Sequence, residues 1–334
     1  MQRDTYEISF VCTMGTPECD EELQLFLHCF RVVHPKMPII VGCTSSMING
    51  KGSSKAYREF CDDGKIEWIP CLDEYLPIRR GDMEQHRGVW YSSRHTDFMM
   101  EKSVLMEHAM MRITESHANN AIPAVAFLDC DIILLGELPC IPIGMEVALS
   151  PHRINHVDES FFGRYNGGFI VASNPSVLYE WRRATRHSRY FDQASLESVA
   201  KRFSSTLFEI PPQHNYGYWR LFQTFRADPV LEAKQFSIES SGIDPEWTLC
   251  YEGLPLKSIH SHFILQVPKH AKNIKVFNSL MKRWLSRCVR PTSSAALTAA
   301  VASNGSRSIR PNRLYEMCLG KVLSGNKIPC GRFV

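Results

Sequence analysis

The chain has 334 residues, 44% hydrophobic and 22% charged, with a net charge of +3, which is the composition of an ordinary globular protein large enough for one sizeable α/β domain or two smaller ones. No apolar run approaches the ~18 residues of a spanning helix, and MQRDTYEISF lacks the apolar core of a secretory signal, so a cytoplasmic protein is expected. The charge is uneven: residues 253–334 carry +13 and residues 1–252 carry −10, an acidic body with a basic end.

In chain order, Tyr6 to Cys12 reads as a first strand and Glu18 to His34 as a helix with Leu23, Phe26, Leu27, Phe30 and Val33 on one face. Met37 to Cys43 is a second strand, Thr44 to Lys55 a loop, Ala56 to Cys61 a short helix and Ile66 to Cys71 a third strand. Strands alternating with helices predict parallel β-α-β units. Leu72 to Ser93 reads as a long surface loop, and a helix is expected from about Thr96 to Ser116. Val147 to Ser150 and the segment entered by Arg164 to Ser173 are further strands, with helices from Pro175 and over Gln193 to Phe203. Pro211 to Trp219 is a loop rich in aromatics, and Ser258 to Leu265 a last strand carrying His260 and His262. The small residues of 291–308 read as a linker, which divides the chain into a domain over 1–290 and a basic appendage over 309–334. The twelve cysteines form no CxxC pair and read as reduced, buried thiols.

The chemistry concentrates in Ala124 to Leu138, AVAFLDCDIILLGEL. Carboxylates are costly to bury unpaired, yet Asp129 and Asp131 interrupt this apolar run. In a continuous strand, positions i and i+2 share a face, so the two acids can converge on one hard cation, Mg²⁺ or Mn²⁺. Two solvated acids at a strand end are the plain alternative. A phosphatase of the haloacid-dehalogenase type also carries Asp-x-Asp after an apolar strand, but Ile133 stands where it needs Thr or Val.

Taken together, FLDCDIILLGEL, YNGGFIVAS, FDQASLE and SIHSHF, in that order between Tyr6 and Leu265, resemble the nucleotide-sugar-dependent glycosyltransferases of the GT-A fold. The similarity is greatest to family 8 and related nucleotide-diphospho-sugar transferases. The resemblance implies an α/β, Rossmann-like single domain with a mixed, mostly parallel central sheet flanked by helices. It implies that Asp129, Asp131 and His260 or His262 hold Mn²⁺ or Mg²⁺. Asn166, Gly167 and Gly168 would meet the donor sugar, glycine letting the backbone come close. Asp192 and Gln193 would lie beside the reacting carbon; a helix N-cap is the structural alternative for Asp192. Thr13, Met14, Ser93, Arg94, His95, Lys102 and Cys130 are expected on the donor side, and His214, Asn215 and Trp219 on the acceptor side. The implied substrates are a UDP-sugar and a glycan or other hydroxyl acceptor, with a lean to retention of configuration. An inverting enzyme with Asp192 as base, or a non-catalytic nucleotide-sugar binder, are the alternatives. No nucleic-acid-binding pattern is present. The basic helix Asn273 to Cys288 is expected to pack its apolar stripe on the body rather than lie on a membrane.

Overall fold

Strands that are apolar on both faces can be covered only by helices on both sides, and four such strands make the centre of the molecule: Phe10–Met14, Ile39–Cys43, Val125–Leu128 and Tyr165–Ala172. The computed structural model describes residues 4–116, 123–224, 228–240, 247–261 and 271–288. His262, the 291–308 tract and the 309–334 segment lie outside the described residues.

The main sheet has seven strands in the order Leu207–Glu209, Val147–Pro151, Tyr165–Ala172, Val125–Leu128, Phe10–Met14, Ile39–Cys43, Ile66–Pro70. Only Tyr165–Ala172 runs against its neighbours, so the sheet is mixed and mostly parallel. Alternate residues of one strand feed opposite cores. Cys12 and Met14 pack with Leu105, Met106 and Trp181 from the helices Arg94–Ser116 and Pro175–Thr185. Val11 packs with Leu23, Phe26 and Phe30 of the helix Asp20–Val33. Burying a Leu or Phe side chain contributes about 1.5–3 kcal/mol, so these two layers fix the sheet between its helices.

Several elements differ from the sequence reading. Thr5–Tyr6 pairs with Ile141–Pro142 in a separate ribbon, and the first central strand starts only at Phe10. The 72–93 segment is not merely a surface loop, since Tyr75 and Met83 are buried in the core. The helix before Asp129 starts at Arg94. A helix over His156–Phe162, the edge strand Leu207–Glu209 and the pairing of Phe236–Ser240 with Trp247–Tyr251 are additional.

The stretch after Val125–Leu128 does not continue as a strand. The chain turns at Asp129, and Ile132–Leu134 joins a second, three-stranded sheet with Tyr216–Gly217 and Ser258–His260. Beneath that sheet Phe277, Met281 and Leu285 of the helix Ala271–Cys288 are fully buried against Tyr216, Leu249 and Leu256. The apolar stripe of the basic helix therefore faces the core. Among the described residues no helix is long and apolar enough to cross a membrane.

Candidate functional site

The two sheets meet at Asp129–Asp131. Asp129 N–H still donates to Gly168 O at 2.9 Å, extending the pairing with Tyr165–Ala172, and Ile132 N–H closes a turn onto Asp129 O at 3.0 Å. The carboxylates thus converge through a turn between two sheets, not through strand alternation. Antiparallel pairing sets His260 opposite Ile132, and Ser261 N–H donates to Asp131 O at 3.1 Å. This register delivers the histidine to the acids: His260 Nε2 is 3.0 Å from Asp131 Oδ1 and 3.9 Å from Asp129 Oδ2. One ligand-capable atom from each of Asp129, Asp131 and His260 falls within a 4.8 Å cluster.

The adjoining glycines make room for these side chains. A Cβ on Gly168 would lie 2.5 Å from His260 Cε1 and 2.6 Å from Asp129 Oδ2, and one on Gly167 would lie 2.8 Å from Asp192 Oδ2. Their bareness admits the protein's own acids and imidazole, where the sequence reading assigned it to a ligand's approach.

Behind the acids lies Lys102, fully buried in the helix Arg94–Ser116. Its Nζ donates to Gly167 O at 2.9 Å and lies 3.2 Å from Asp129 Oδ1 and 3.4 Å from Asp192 Oδ2. Burial pulls its pKa down, but Asp129 and Asp192 outweigh burial and the net direction is up. The ammonium is a buried counter-charge to two carboxylates, not a free arm for a diphosphate. Asp192 is 1% exposed. Burial, then the like charge of Asp129, holds its carboxyl above the usual range in spite of Lys102. It caps no helix: the following helix is Leu196–Arg202 with Ser195 at its N-cap, and Asp192 O accepts from Trp181 Nε1 at 2.8 Å. Its neighbour Phe191 has φ +40°, a conformation costly for a bulky residue and found where surroundings enforce it.

A cavity of about 560 Å³ opens in front of this cluster. Of the residues singled out in the sequence, Met14, His95, Asp129, Cys130, Asp131, Asn166, Asp192, Gln193, Trp219 and His260 line it. Thr13, Ser93, Arg94, Lys102, Gly167, Gly168, His214 and Asn215 do not. Arg94 is turned away, its guanidinium bound to Asp97 Oδ2 at 3.0 Å and 4.6 Å from the Tyr75 ring centroid. Thr13 and Asn215 are fully buried. His214 packs edge-on to Phe169 and is held neutral, its pKa pushed down to about 3 by burial and then by Lys257 and Arg220. Gln193 lines the wall with its amide engaged: Oε1 accepts from Gly167 N–H at 3.2 Å and Nε2 donates to Phe162 O at 2.8 Å. The Cys130 thiol is pushed up in pKa by the neighbouring Cys19 thiol and then by burial.

The sequence reading missed Arg80, whose side chain lines the cavity from the 72–93 segment near Phe98. It also missed the aromatic wall of Phe162, Tyr190, Phe191 and Tyr218. His95 stacks on Phe191 at 4.4 Å, with a pKa pushed down to about 4 by burial and then by Arg80 and Lys102. The tract RRGDMEQHRG carries no periodicity, so nothing local marks Arg80 as inward-facing.

No family model matches the chain, and no curated protein matches it in sequence. Solved structures similar to it include the galactosyltransferase LgtC in complex with donor and acceptor sugar analogs, at 13% identity over 87% of this chain and 99% of that one, with a TM-score of 0.41. The glycosyltransferase GlyE of Streptococcus pneumoniae TIGR4 aligns at 14% identity over 84% of this chain and 64% of that one, with a TM-score of 0.43. The bifunctional enzyme WbbM aligns at 12% identity and a TM-score of 0.41; 66% of this chain spans 41% of its length.

Proposed function

We propose that the chain is a metal-dependent glycosyltransferase, moving a sugar from a nucleotide-diphosphate sugar, a UDP-sugar in the first instance, to a glycan or other hydroxyl acceptor. The observation that carries this reading is the Asp129–Asp131–His260 cluster at the carboxyl end of a central strand, where open α/β sheets take their ligands. The donor set fits a divalent ion: two carboxylates suit Mg²⁺ or Mn²⁺, and an added imidazole favours Mn²⁺. The bare Gly168 keeps the space that a methyl group would fill. When bound, the ion supplies positive charge against that building on a departing diphosphate. The cavity volume is in the range of small-molecule sites.

The protein's own groups divide the remaining work. Lys102 holds Asp129 in place from behind, Nζ 3.2 Å from Oδ1. Met14, Arg80 and Cys130 face the donor side of the cavity, with Arg80 as its cation. Asp192 and Gln193 stand by the reacting carbon. Trp219 and the aromatic wall supply apolar surface for a pyranose face and exclude water. His214 and Asn215 take no acceptor role in this reading, being buried off the cavity. An inverting mechanism needs a base open to the acceptor hydroxyl. The near-complete burial of Asp192 and its pairing with Lys102 argue against it as that base and in favour of retention.

The test is donor turnover. A panel of nucleotide sugars with Mn²⁺ should contain one that raises the melting temperature by mass action and is consumed, with EDTA stopping consumption and Mn²⁺ restoring it. Asp129→Ala and Asp131→Ala should be inactive yet folded. NMR of the new anomeric centre decides retention. Unchanged turnover in EDTA would sink the metal assignment; binding without turnover would leave a nucleotide-sugar binder.

A further inference from the structure

We propose that Asn215 and Asn166 are positioning residues that hold a proton on His260 Nδ1 and aim Nε2 at Asp131. The inference rests on the metal reading for its purpose, but its geometry stands independently.

Each step follows from what a group can donate. Gly168 N–H can only donate, and its partner at 2.9 Å on Asn166 is therefore the amide oxygen. The Asn215 atom 3.0 Å from that oxygen must then be its NH₂, which also reaches Ser150 Oγ at 2.9 Å. The other end of the Asn215 amide is its oxygen, 2.8 Å from His260 Nδ1. An amide oxygen only accepts, so Nδ1 carries the proton.

Two further backbone anchors give the same polarity. Gly163 O accepts from His152 Nδ1 at 2.8 Å, which leaves His152 Nε2 as acceptor for Asn166 Nδ2 at 3.2 Å. Gly167 N–H fixes Gln193 Oε1, which accepts from the same Asn166 Nδ2 at 3.3 Å. Three main-chain groups on one strand and its neighbouring turn thereby orient every amide in the relay. Asn215 sits at φ +54°, a conformation that Asn tolerates better than other residues with side chains, and it is fully buried.

The relay decides which nitrogen faces the acids. With Nδ1–H tied to Asn215, Nε2 is the nitrogen set 3.0 Å from Asp131 Oδ1. A proton on Nε2 is one that a metal displaces, while the second ring N–H stays held by the protein, as in metal-ligating histidines generally.

The experiment reads both parts. Long-range ¹H–¹⁵N spectra of the metal-free protein at pH 8, with His260 assigned by His260→Gln, should show a proton on Nδ1. Asn215→Gly keeps the backbone unstrained while deleting the amide. It should move His260 toward the Nε2–H form and weaken Mn²⁺ binding, titrated without any nucleotide, by about 10–100-fold. An Nε2–H tautomer in the wild-type protein overturns the proposal, as does a folded Asn215→Gly with wild-type Mn²⁺ affinity. If Asn215→Gly does not fold, the wild-type spectrum decides alone. If the wild-type protein shows the Nδ1–H form but binds no Mn²⁺, the metal reading fails and the tautomer assignment does not.

Discussion

Lys102→Met tests the electrostatic support of the site. Met keeps much of the stem's packing, including contact with the Phe127 ring whose centroid lies 5.1 Å from Nζ, and removes the charge. Asp192, with a side chain 2% exposed, then has no cation beside it, while Asp129 at 24% is partly relieved by solvent. Breaking a buried pair by removing one partner costs about 3–5 kcal/mol, and most of that falls on Asp192. The pH dependence follows from the direction of its shift. Asp192 already sits above its ordinary pKa because of burial and then Asp129, and Lys102 is what pulls it back. Without Lys102 it rises further. A carboxyl whose folded pKa exceeds its unfolded value contributes stability at low pH that is lost as pH rises through the folded pKa. The deficit of the variant should therefore grow from pH 5 to pH 8, by ~1.4 kcal/mol for each unit the carboxyl is raised within that window. Adding Asp192→Asn should return at least ~1 kcal/mol of it, as expected for groups in contact. Urea unfolding in EDTA at both pH values is the assay. A deficit under ~1 kcal/mol at pH 8, or one that is independent of pH and indifferent to Asp192→Asn, would refute the role given to Lys102.

Gly168→Ala should cost about 1–3 kcal/mol by overpacking and abolish Mn²⁺ binding by calorimetry, because its Cβ displaces both His260 and Asp129; retained affinity would remove Gly168 from the site. His95, His152 and His214 are held neutral by burial, with pKa values pushed down to about 4, about 4 and about 3. Their contribution is present above the unfolded value of 6.5 and lost as pH falls toward the folded ones, so near pH 5 stability should fall by up to roughly 4 kcal/mol per pH unit, three protons at ~1.4 each; a slope below one proton's worth contradicts their burial. Phe277→Ala should destabilise by about 3–5 kcal/mol without changing liposome co-sedimentation, whereas loss of liposome binding in a stable variant would place the basic helix on a membrane.

The main sheet was legible because its strands need no partner face in the sequence: IIVGC and VAFL are apolar throughout, and only a doubly covered strand explains that. The edge strand Leu207–Glu209 was not, since three residues carry no period. Phe236-Ser237-Ile238-Glu239 alternates cleanly and is a strand signal in its own right. The strand alternation expected to bring Asp129 and Asp131 to one face is replaced by a turn, because Ile132–Leu134 pairs with Ser258–His260, 124 to 128 residues away, and nothing local in either segment records that pairing. Asp129 and Asp131 announced themselves by their cost in apolar surroundings. Lys102 was singled out for the donor side, but its inward turn onto Asp129 and Asp192 was not legible, because a lysine in an amphipathic helix ordinarily reads as solvated.

What the sequence hides is a division of labour within each side chain. Asp129 presents Oδ1 to Lys102 at 3.2 Å and turns Oδ2 toward His260. His260 presents Nδ1 to Asn215 at 2.8 Å and turns Nε2 toward Asp131. In both, one atom is tied to the protein and the other is offered to the cavity. The tie is what makes the offer useful: a ligand atom free to rotate loses entropy on binding, whereas a tethered one has lost it on folding. The tethers come from the helix Arg94–Ser116 and from the turn before Tyr216–Gly217, elements remote in sequence from the groups they hold. A motif such as Asp-x-Asp names the offered atoms, and only the fold supplies the ones that hold them still.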